Sequence, residues 1–180
     1  MLKGLRVTLR PMREADVPRQ VEFNHDVELF GLDATIPRTT PSSDALAFYQ
    51  ARSVHDPSTS PFAIEADNQY IGHCALFGLN NRIGSAELGI MIGDRAYQGK
   101  GYGRETIELL LHFGFHYLGV RRISLTTHAK NDRAIQCYAR CGFIEEGRPR
   151  QAAWIQGQYV DLVEMAILRH EWLDAQGQEQ

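Results

Sequence analysis

The residues best suited to chemistry lie in one short segment, Gln98 to Gly103, just before an apolar helical pattern. Its three alternating glycines carry no side chains, so backbone N–H groups there can approach an anion closely. The positive end of the following helix would point at the same place. Arg104 would add positive charge beside it, and Lys100 would either pair with the phosphate or project into solvent. The segment therefore predicts a site for a phosphate-bearing ligand, cradled by Gly99, Gly101 and Gly103.

Two other phosphate-binding patterns fit this segment less well. A Walker-type loop ends in Gly-Lys-Ser/Thr because a hydroxyl must reach magnesium, but here Lys100 is followed by Gly101. A dinucleotide fingerprint requires Gly-x-Gly-x-x-Gly directly after the first strand, with an acidic residue about 20 positions later. The spacing here is Gly-x-Gly-x-Gly, and most of the preceding chain is not of βαβ type. A dinucleotide-binding enzyme is therefore the weaker alternative.

The elements around the glycine segment would place it at the end of a strand. Residues 85–92 read as a strand, and residues 122–127 alternate between apolar and polar side chains, as in another. Between these strands, apolar residues at helical spacing predict a helix that ends at Gly119. The residues of its apolar stripe are Ile107, Leu110, Leu111, Phe115 and Leu118. A strand, a glycine loop, a helix and a strand form a βαβ-type unit, whose ligand lies at the carboxyl end of the first strand.

Strand and helix patterns also cover most of the remaining chain. Alternation predicts strands over residues 5–11, 62–66, 70–77 and 160–168, the middle two forming a hairpin. Helical patterns cover residues 13–24, 44–51 and 169–175, and residues 154–159 resemble a hairpin tip. The Pro-containing stretch 32–43 reads as a loop, and together with residues 26–31 and 154–159 it is the predicted acceptor side.

Length and composition predict a single domain over residues 1–175 with a disordered polar tail, 176–180. The net charge of −3 disfavours a nucleic-acid partner. Neither a signal peptide nor a membrane span is predicted, so the expected location is the cytoplasm. Cys74, Cys137 and Cys141 are expected to be reduced thiols; Cys137 and Cys141 could form half of a metal site, but a matching pair is missing from the sequence, and no metal is predicted.

A second segment downstream is suited to the same ligand. Residues 131–140 form a short helical pattern, for which Asn131 or Asp132 would be the N-cap and Gly142 the terminating residue. Tyr138 lies seven residues after Asn131, or two helical turns. Both side chains would therefore share one stripe and could contact one extended ligand.

Three motifs together resemble the GCN5-related N-acetyltransferase superfamily. The segment Gln98 to Gly103 fits its Gln/Arg-x-x-Gly-x-Gly/Ala loop, and residues 131–143 fit its Asn-x-x-Ala-x-x-x-Tyr-x-x-x-Gly-Phe signature. Residues 86–93 look like its central strand. Within the superfamily, residues 7–11, residues 157–161 and Glu171-Trp172 are similar to the branch of ribosomal-protein N-terminal and spermidine acetyltransferases.

This resemblance implies an α/β (α+β) acyltransferase fold, in which a mixed, mostly antiparallel twisted sheet is flanked by helices and its central strands splay apart. It also implies acetyl-coenzyme A as co-substrate, an amine acceptor and, as is common in this branch, a homodimer. Cofactor contacts are expected at Met91, Ile92, Gln98, Gly99, Lys100, Gly101, Tyr102, Gly103, Arg104, Asn131, Ala134 and Tyr138.

The resemblance implies Tyr138 as the acid that protonates the departing thiolate, although tyrosines also pack in cores with a wet hydroxyl. Glu87, on the central strand, is the candidate base for the amine; a surface or ion-paired role is the alternative. His73 and His128 are other candidate bases. Direct transfer is expected because the cysteines lack an evident base. A non-catalytic module that binds coenzyme A thioesters is the alternative function.

Overall fold

The structure is a computed structural model that describes residues 1–31, residue 44 and residues 56–177. Eight strands form one sheet in the order β1-β2-β3-β4-β5-β6-β10-β7, and β8 pairs with β9 in a separate hairpin. The strands are β1 Leu2–Lys3, β2 Thr8–Arg10, β3 Ser60–Ala66, β4 Gln69–Asn80, β5 Ser85–Ile92, β6 Arg122–His128, β7 Ile144–Gly147, β8 Ala153–Ile155, β9 Gln158–Val160 and β10 Leu162–Leu168.

Neighbouring strands in the sheet are antiparallel except β5 and β6, which run parallel. The chain connects these two through a helix, as parallel strands require. The described helices are α1 Val17–His25, α2 Val27–Gly31, α3 Tyr102–His112, α4 Asp132–Arg140 and α5 Arg169–Gly177. A π-helical turn, Phe113–Tyr117, continues α3.

Helices cover both faces of the sheet. On one face, Ile107, Leu110 and Leu111 of α3 are buried against the strands, and side chains of α4 and Trp172 of α5 pack on the same core. On the other face, Phe23 of α1 and Leu29 of α2 lie in a second cluster with Ala63, Tyr70 and Met91. The predicted mixed, mostly antiparallel sheet flanked by helices is therefore confirmed.

Several predicted elements agree with the structure. The strand over residues 85–92 is β5, the hairpin of residues 62–77 is β3 and β4, and the helix after Asn131 is α4. The predicted hairpin tip is also present, because Gln156 and Gly157 connect β8 and β9 with positive φ angles of 47° and 82°. The first predicted strand is shorter than expected, since only Thr8–Arg10 is β2.

Two boundaries were wrong at the C-terminal end. Val160 ends β9 rather than opening the last strand, because Asp161 leaves the ladder and accepts a hydrogen bond from the backbone N–H of Gln151 at 2.9 Å. The last helix runs on through Gln176 and Gly177, two residues that the predicted tail included. Residues 178–180, residues 32–43 and most of the predicted helix at 44–51 lie outside the described residues.

Candidate functional site

A cleft opens in the middle of the sheet, where β5 and β6 diverge. The two strands pair only over Ser85–Glu87 and residues 122–124. On its other edge β5 stays paired with β4 as far as Ile92, and β6 stays paired with β10 as far as His128. The facing edges of the last residues of β5 and β6 thus present backbone N–H and C=O groups to the cleft, where a ligand with amide groups can bind them.

A cavity of about 310 Å³ lies at this divergence, next to the glycine loop and α4. It is bounded by the carboxyl ends of β5 and β6, by the loop with the first turns of α3, and by one side of α4. Its walls are formed by Leu29, Ile90, Met91, Ile92, Tyr97, Gln98, Gly99, Gly101, Gly103, Arg104, Ile107, Thr126, Thr127, Asn131, Arg133, Ala134, Gln136, Cys137, Tyr138 and Arg140. Most of the predicted cofactor-binding residues therefore meet in one place.

The glycine loop has the conformation that its composition predicts. Gly99 and Gly101 have φ angles of 71° and 91°, in the left-handed region that favours glycine. Gly101 is the N-cap of α3, so the loop leads directly into the positive end of an 11-residue helix. Backbone N–H groups of the loop and of the first helical turn are thus gathered at the cavity, an arrangement that suits a phosphate.

The loop is braced from behind by the N-terminal segment. Arg6 donates a 3.0 Å hydrogen bond to the carbonyl of Lys100, and its guanidinium lies 4.8 Å from the centre of the Tyr102 ring. Glu105 accepts hydrogen bonds from the backbone N–H groups of Arg6 and Val7 at 2.7 and 2.9 Å. Burial alone would raise the pKa of Glu105, but these bonds hold it below its usual value.

Lys100 and Tyr102 belong to the loop but do not line the cavity. The Lys100 side chain is exposed. The Tyr102 ring packs edge-on against Tyr97 at 5.1 Å and beneath Arg6. The structure thus places both side chains away from the cavity that the glycine loop lines.

Gln98 connects three parts of the site. Its side-chain Nε2 donates a 2.8 Å hydrogen bond to the carbonyl of Ile92 at the end of β5. Its Oε1 accepts a 3.3 Å hydrogen bond from Arg133 of α4. The side chain therefore fixes the strand end, the glycine loop and α4 relative to one another. This is a structural reason for the amide at the start of the loop motif.

Helix α4 supplies the opposite wall. Asn131 is its N-cap, and the Asn131 Oδ1 accepts a 3.2 Å hydrogen bond from the backbone N–H of Ala134. The Tyr138 ring is half-buried and contacts the Phe143 ring edge-on at 5.9 Å. Both predicted residues line the cavity, so the shared stripe deduced from their spacing is present. Tyr138 packs on the core and also reaches the cavity.

Two arginines of α4 were not among the predicted site residues. Arg133 and Arg140 line the cavity together with Arg104 of α3. Arg104 also forms a 2.7 Å ion pair with Glu108. The sequence contained a signal for these positions, since residues 133, 137 and 140 recur at helical spacing beside the Asn131 and Tyr138 stripe. This positive charge and the cradle of amides fit a polyanionic ligand such as the phosphates of coenzyme A.

Glu87 lies outside the cavity lining, at the point where β5 and β6 begin to separate. Its register partners are Phe77 on β4 and Ser124 on β6. Strand alternation puts Glu87 on the same face as Met91, which packs against α1 and α2. Partial burial raises the pKa of this carboxyl. The sequence did not determine on which face of the sheet Glu87 lies, and the structure places it on the face opposite α3.

The two candidate histidines lie at different places. His73 is the register partner of Met91, and its Nδ1 lies 3.4 Å from the Tyr70 hydroxyl. His128 ends β6 and is buried, with 2% of its surface exposed. His73 therefore shares the α1 and α2 face with Glu87, whereas His128 is enclosed at the far strand end.

Neither a metal-binding group of side chains nor a membrane-spanning helix is present among the described residues. Among the described residues, no group of three or more His, Cys, Asp or Glu side chains is arranged to hold a metal ion. Over the same part of the chain, none of the helices combines the length and the apolar character needed to cross a bilayer.

Comparisons with known proteins agree with this geometry. The spermidine N(1)-acetyltransferase of Escherichia coli (strain K12) is 30% identical over 169 residues, which are 93% of this chain and 88% of that protein. A putative ribosomal N-acetyltransferase, YdaF, of Bacillus subtilis (strain 168) is 28% identical over 106 residues, or 59% of this chain and 57% of that protein.

The solved structures show the same relationship. The spermidine N-acetyltransferase from Vibrio cholerae in complex with CoA and spermine superposes with a TM-score of 0.85 at 29% identity, over 93% of this chain and 98% of that chain. A family model described as an acetyltransferase (GNAT) domain matches residues 6–144. The protein therefore belongs to the GNAT acetyltransferase family, as the loop, the splayed strands and α4 together indicate.

Proposed function

We propose that this protein transfers the acetyl group of acetyl-coenzyme A directly to a primary amine of a small polyamine. The observation that carries the proposal is the divergence of β5 and β6 beside the glycine loop and the start of α3. This divergence places the glycine loop at the mouth of a cleft along which the ends of β5 and β6 are not paired with each other. The two spermidine acetyltransferases compared above, each aligned over 93% of the chain, support a polyamine acceptor.

In this proposal the glycine loop binds the pyrophosphate through its backbone N–H groups. Arg104, Arg133 and Arg140 add charge for the phosphate groups along the cavity. The amide-bearing arm of the co-substrate pairs with the edge of β5 near Met91 and Ile92, and contacts Asn131 and Ala134 on the opposite wall. The thioester then lies toward the sheet end of the cavity, and a backbone N–H near Ile92 polarises its carbonyl.

The amine must be neutral to attack. Glu87 is the proposed base, acting through water, since its raised pKa makes it a better proton acceptor than an ordinary glutamate. It lies on the α1 and α2 face, so the acceptor would approach from the side of the sheet opposite α3. His73, on the same face, is the alternative base. Tyr138 is the proposed acid that protonates the thiolate of coenzyme A as the C–S bond breaks.

A thiol-release assay with acetyl-coenzyme A and an amine panel tests this function. The panel contains spermidine, spermine, a diamine, an amino-acid amide and a peptide with a free N-terminus. We expect thiol release to depend on the acceptor and kcat/KM to be highest for the polyamines. Highest kcat/KM for the peptide would instead favour a protein N-terminus, an acceptor consistent with the similarity to the putative ribosomal N-acetyltransferase YdaF. If the protein binds acetyl-coenzyme A tightly but none of the amines causes thiol release, the non-catalytic module would be favoured.

A direct transfer mechanism also predicts a particular pattern of initial velocities. Both substrates must be bound together, so reciprocal plots of initial velocity at several fixed amine concentrations should intersect. Parallel lines and a labelled acetyl group retained on the protein in the absence of amine would instead indicate a covalent intermediate.

A further inference from the structure

Two cysteines in the last turn of α4 form a pair at the wall of the cavity. Cys137 lines the cavity, and Cys141 is the C-cap residue of the helix. Both thiols are free and half-buried. They lie four residues apart, so their side chains share one face at the end of the helix. The acetyl-transfer reaction proposed above uses neither of them.

The surroundings of the pair make its two sulfurs unequal. Interaction with the Cys141 thiol lowers the pKa of Cys137 to about 7. The positive charges of Arg104 and Arg140 act in the same direction, while burial and Glu108 oppose them. The same interaction and burial raise the pKa of Cys141. Cys137 also lines the cavity, whereas Cys141 does not, so Cys137 is the sulfur that a hydroperoxide reaches first.

The third cysteine has none of these features. Cys74 is buried in the core with 2% of its surface exposed, and desolvation raises the pKa of its thiol. Thiol chemistry in this protein should therefore be confined to α4, because reactivity follows thiolate character and access.

We propose that Cys137 and Cys141 form an oxidation site, at which a hydroperoxide converts the two thiols to a disulfide that weakens coenzyme A binding. The disulfide is independent of the proposed function, whereas its effect on coenzyme A rests on it. The oxidation uses two sulfurs that have no part in the proposed acetyl transfer, although Cys137 and Arg104 line the same cavity.

The oxidation proceeds in two balanced steps. The Cys137 thiolate attacks one oxygen of hydrogen peroxide, the S–O bond forms, the O–O bond breaks, and hydroxide leaves and takes up a proton to become water. Cys141 then attacks the sulfur of the Cys137 sulfenic acid. The S–S bond forms, the S–O bond breaks, and the departing hydroxide takes the Cys141 proton. Two thiols are oxidised by two electrons, and one peroxide is reduced to two waters.

The helix geometry explains why the disulfide would be felt in the cavity. Residues four apart on a helix have Cβ atoms about 5–6 Å apart, whereas a disulfide requires about 4 Å. Closing that gap must distort the last turn, where the Cys141 N–H donates to the carbonyls of Cys137 and Tyr138 at 3.2 and 3.0 Å. The turn is at a helix end, followed by Gly142 with φ of 93°, so it can adjust without breaking the helix. Tyr138 and Arg140 would move with it.

The test uses the full chain, reduced and then exposed to hydrogen peroxide, with desulfo-coenzyme A as the probe because it has no thiol to exchange. Peptide mapping by mass spectrometry should show a 137–141 linkage with the loss of two hydrogens. Calorimetry should show affinity for desulfo-coenzyme A falling roughly tenfold and recovering after dithiothreitol. Prior saturation with the probe should slow the oxidation, because Cys137 is then covered.

Two variants separate the steps. Cys141→Ser removes the resolving thiol outside the cavity lining, so oxidation should stop at a sulfenic acid on Cys137 that dimedone traps. Cys74→Ala is the matched control and should oxidise like the native chain. The proposal is overturned if no 137–141 linkage forms, or if the linkage forms and the affinity is unchanged. If the reduced protein does not bind desulfo-coenzyme A while the linkage forms, the proposed function fails and the thiol chemistry stands.

Discussion

The side-chain amide of Gln98 donates a 2.8 Å hydrogen bond to the carbonyl of Ile92, which ties the glycine loop to the end of β5. This contact sets the distance between the anion cradle and the strand edge, the two features that an extended co-substrate must reach at once. A loop held only by its own backbone would leave that distance free to vary.

Replacing Gln98 by Ala should weaken binding of acetyl-coenzyme A about fivefold to tenfold, since one buried hydrogen bond is worth about 1 kcal/mol. The Arg133 contact is lost in the same variant. Calorimetry with coenzyme A measures the change, and Gln69→Ala, at the exposed start of β4, is the matched control. Equal affinity in the two variants would contradict the role given to Gln98.

Removing the carboxylate that braces the loop should destabilise the fold in a pH-dependent way. Glu105→Gln should lower the free energy of unfolding by roughly 1–2 kcal/mol at pH 7, because two backbone N–H groups lose a charged acceptor. The pKa of Glu105 is lowered in the folded state, so its contribution is present above the unfolded pKa and is lost as pH falls through the folded one.

Denaturant unfolding between neutral and acidic pH measures this difference. The free energies of unfolding of the native chain and of Glu105→Gln should converge as the pH falls below about 4. Glu146→Gln is the matched control, because Glu146 pairs with Arg122 at the surface, where such a pair is worth less than about 1 kcal/mol. If the difference in free energy of unfolding persists in acid, the shape of the Glu105 side chain, rather than its charge, stabilises the fold.

Removing the hydroxyl of Tyr138 should affect turnover rather than binding. Tyr138→Phe keeps the ring contact with Phe143, so the cavity wall is preserved. We expect kcat to fall roughly 10²-fold, the lower range for a general acid, while affinity for coenzyme A changes little. Steady-state kinetics and calorimetry check the two parts. Tyr117→Phe, at an exposed position after α3, should keep the native kcat; unchanged kcat in Tyr138→Phe would remove this acid.

The pH profile should report on Glu87. A base must be ionised to accept a proton, so activity should fall on the acid side as pH drops through the raised pKa of Glu87. The acid limb of kcat/KM should therefore lie above the ordinary range for glutamate and disappear in Glu87→Gln, with lower activity throughout. Glu22→Gln, on the exposed side of α1, should retain the limb. A limb that survives in Glu87→Gln would transfer the role to His73.

Local patterns in the sequence predicted several features of the backbone and of the cavity wall. The helix after the glycine segment, the cap at Asn131 and the shared stripe of Asn131 and Tyr138 all follow from residue type and spacing. The sequence could not fix the face of Glu87, because alternation has two phases and only packing against α1 and α2 selects one. It also missed Arg133 and Arg140, whose position depends on how α4 packs against α3. A homodimer stays a prediction.

The gap between β5 and β6 divides the sheet into two leaves that are joined by only three residue pairs. One leaf contains β1 to β5 and the other contains β6, β10 and β7, and each is antiparallel within itself. An extended ligand that pairs with the edge of β5 does the work of a missing strand. Occupancy of the cleft should therefore slow amide hydrogen exchange at the end of β5. The two leaves of the sheet are then joined most firmly when the co-substrate is bound.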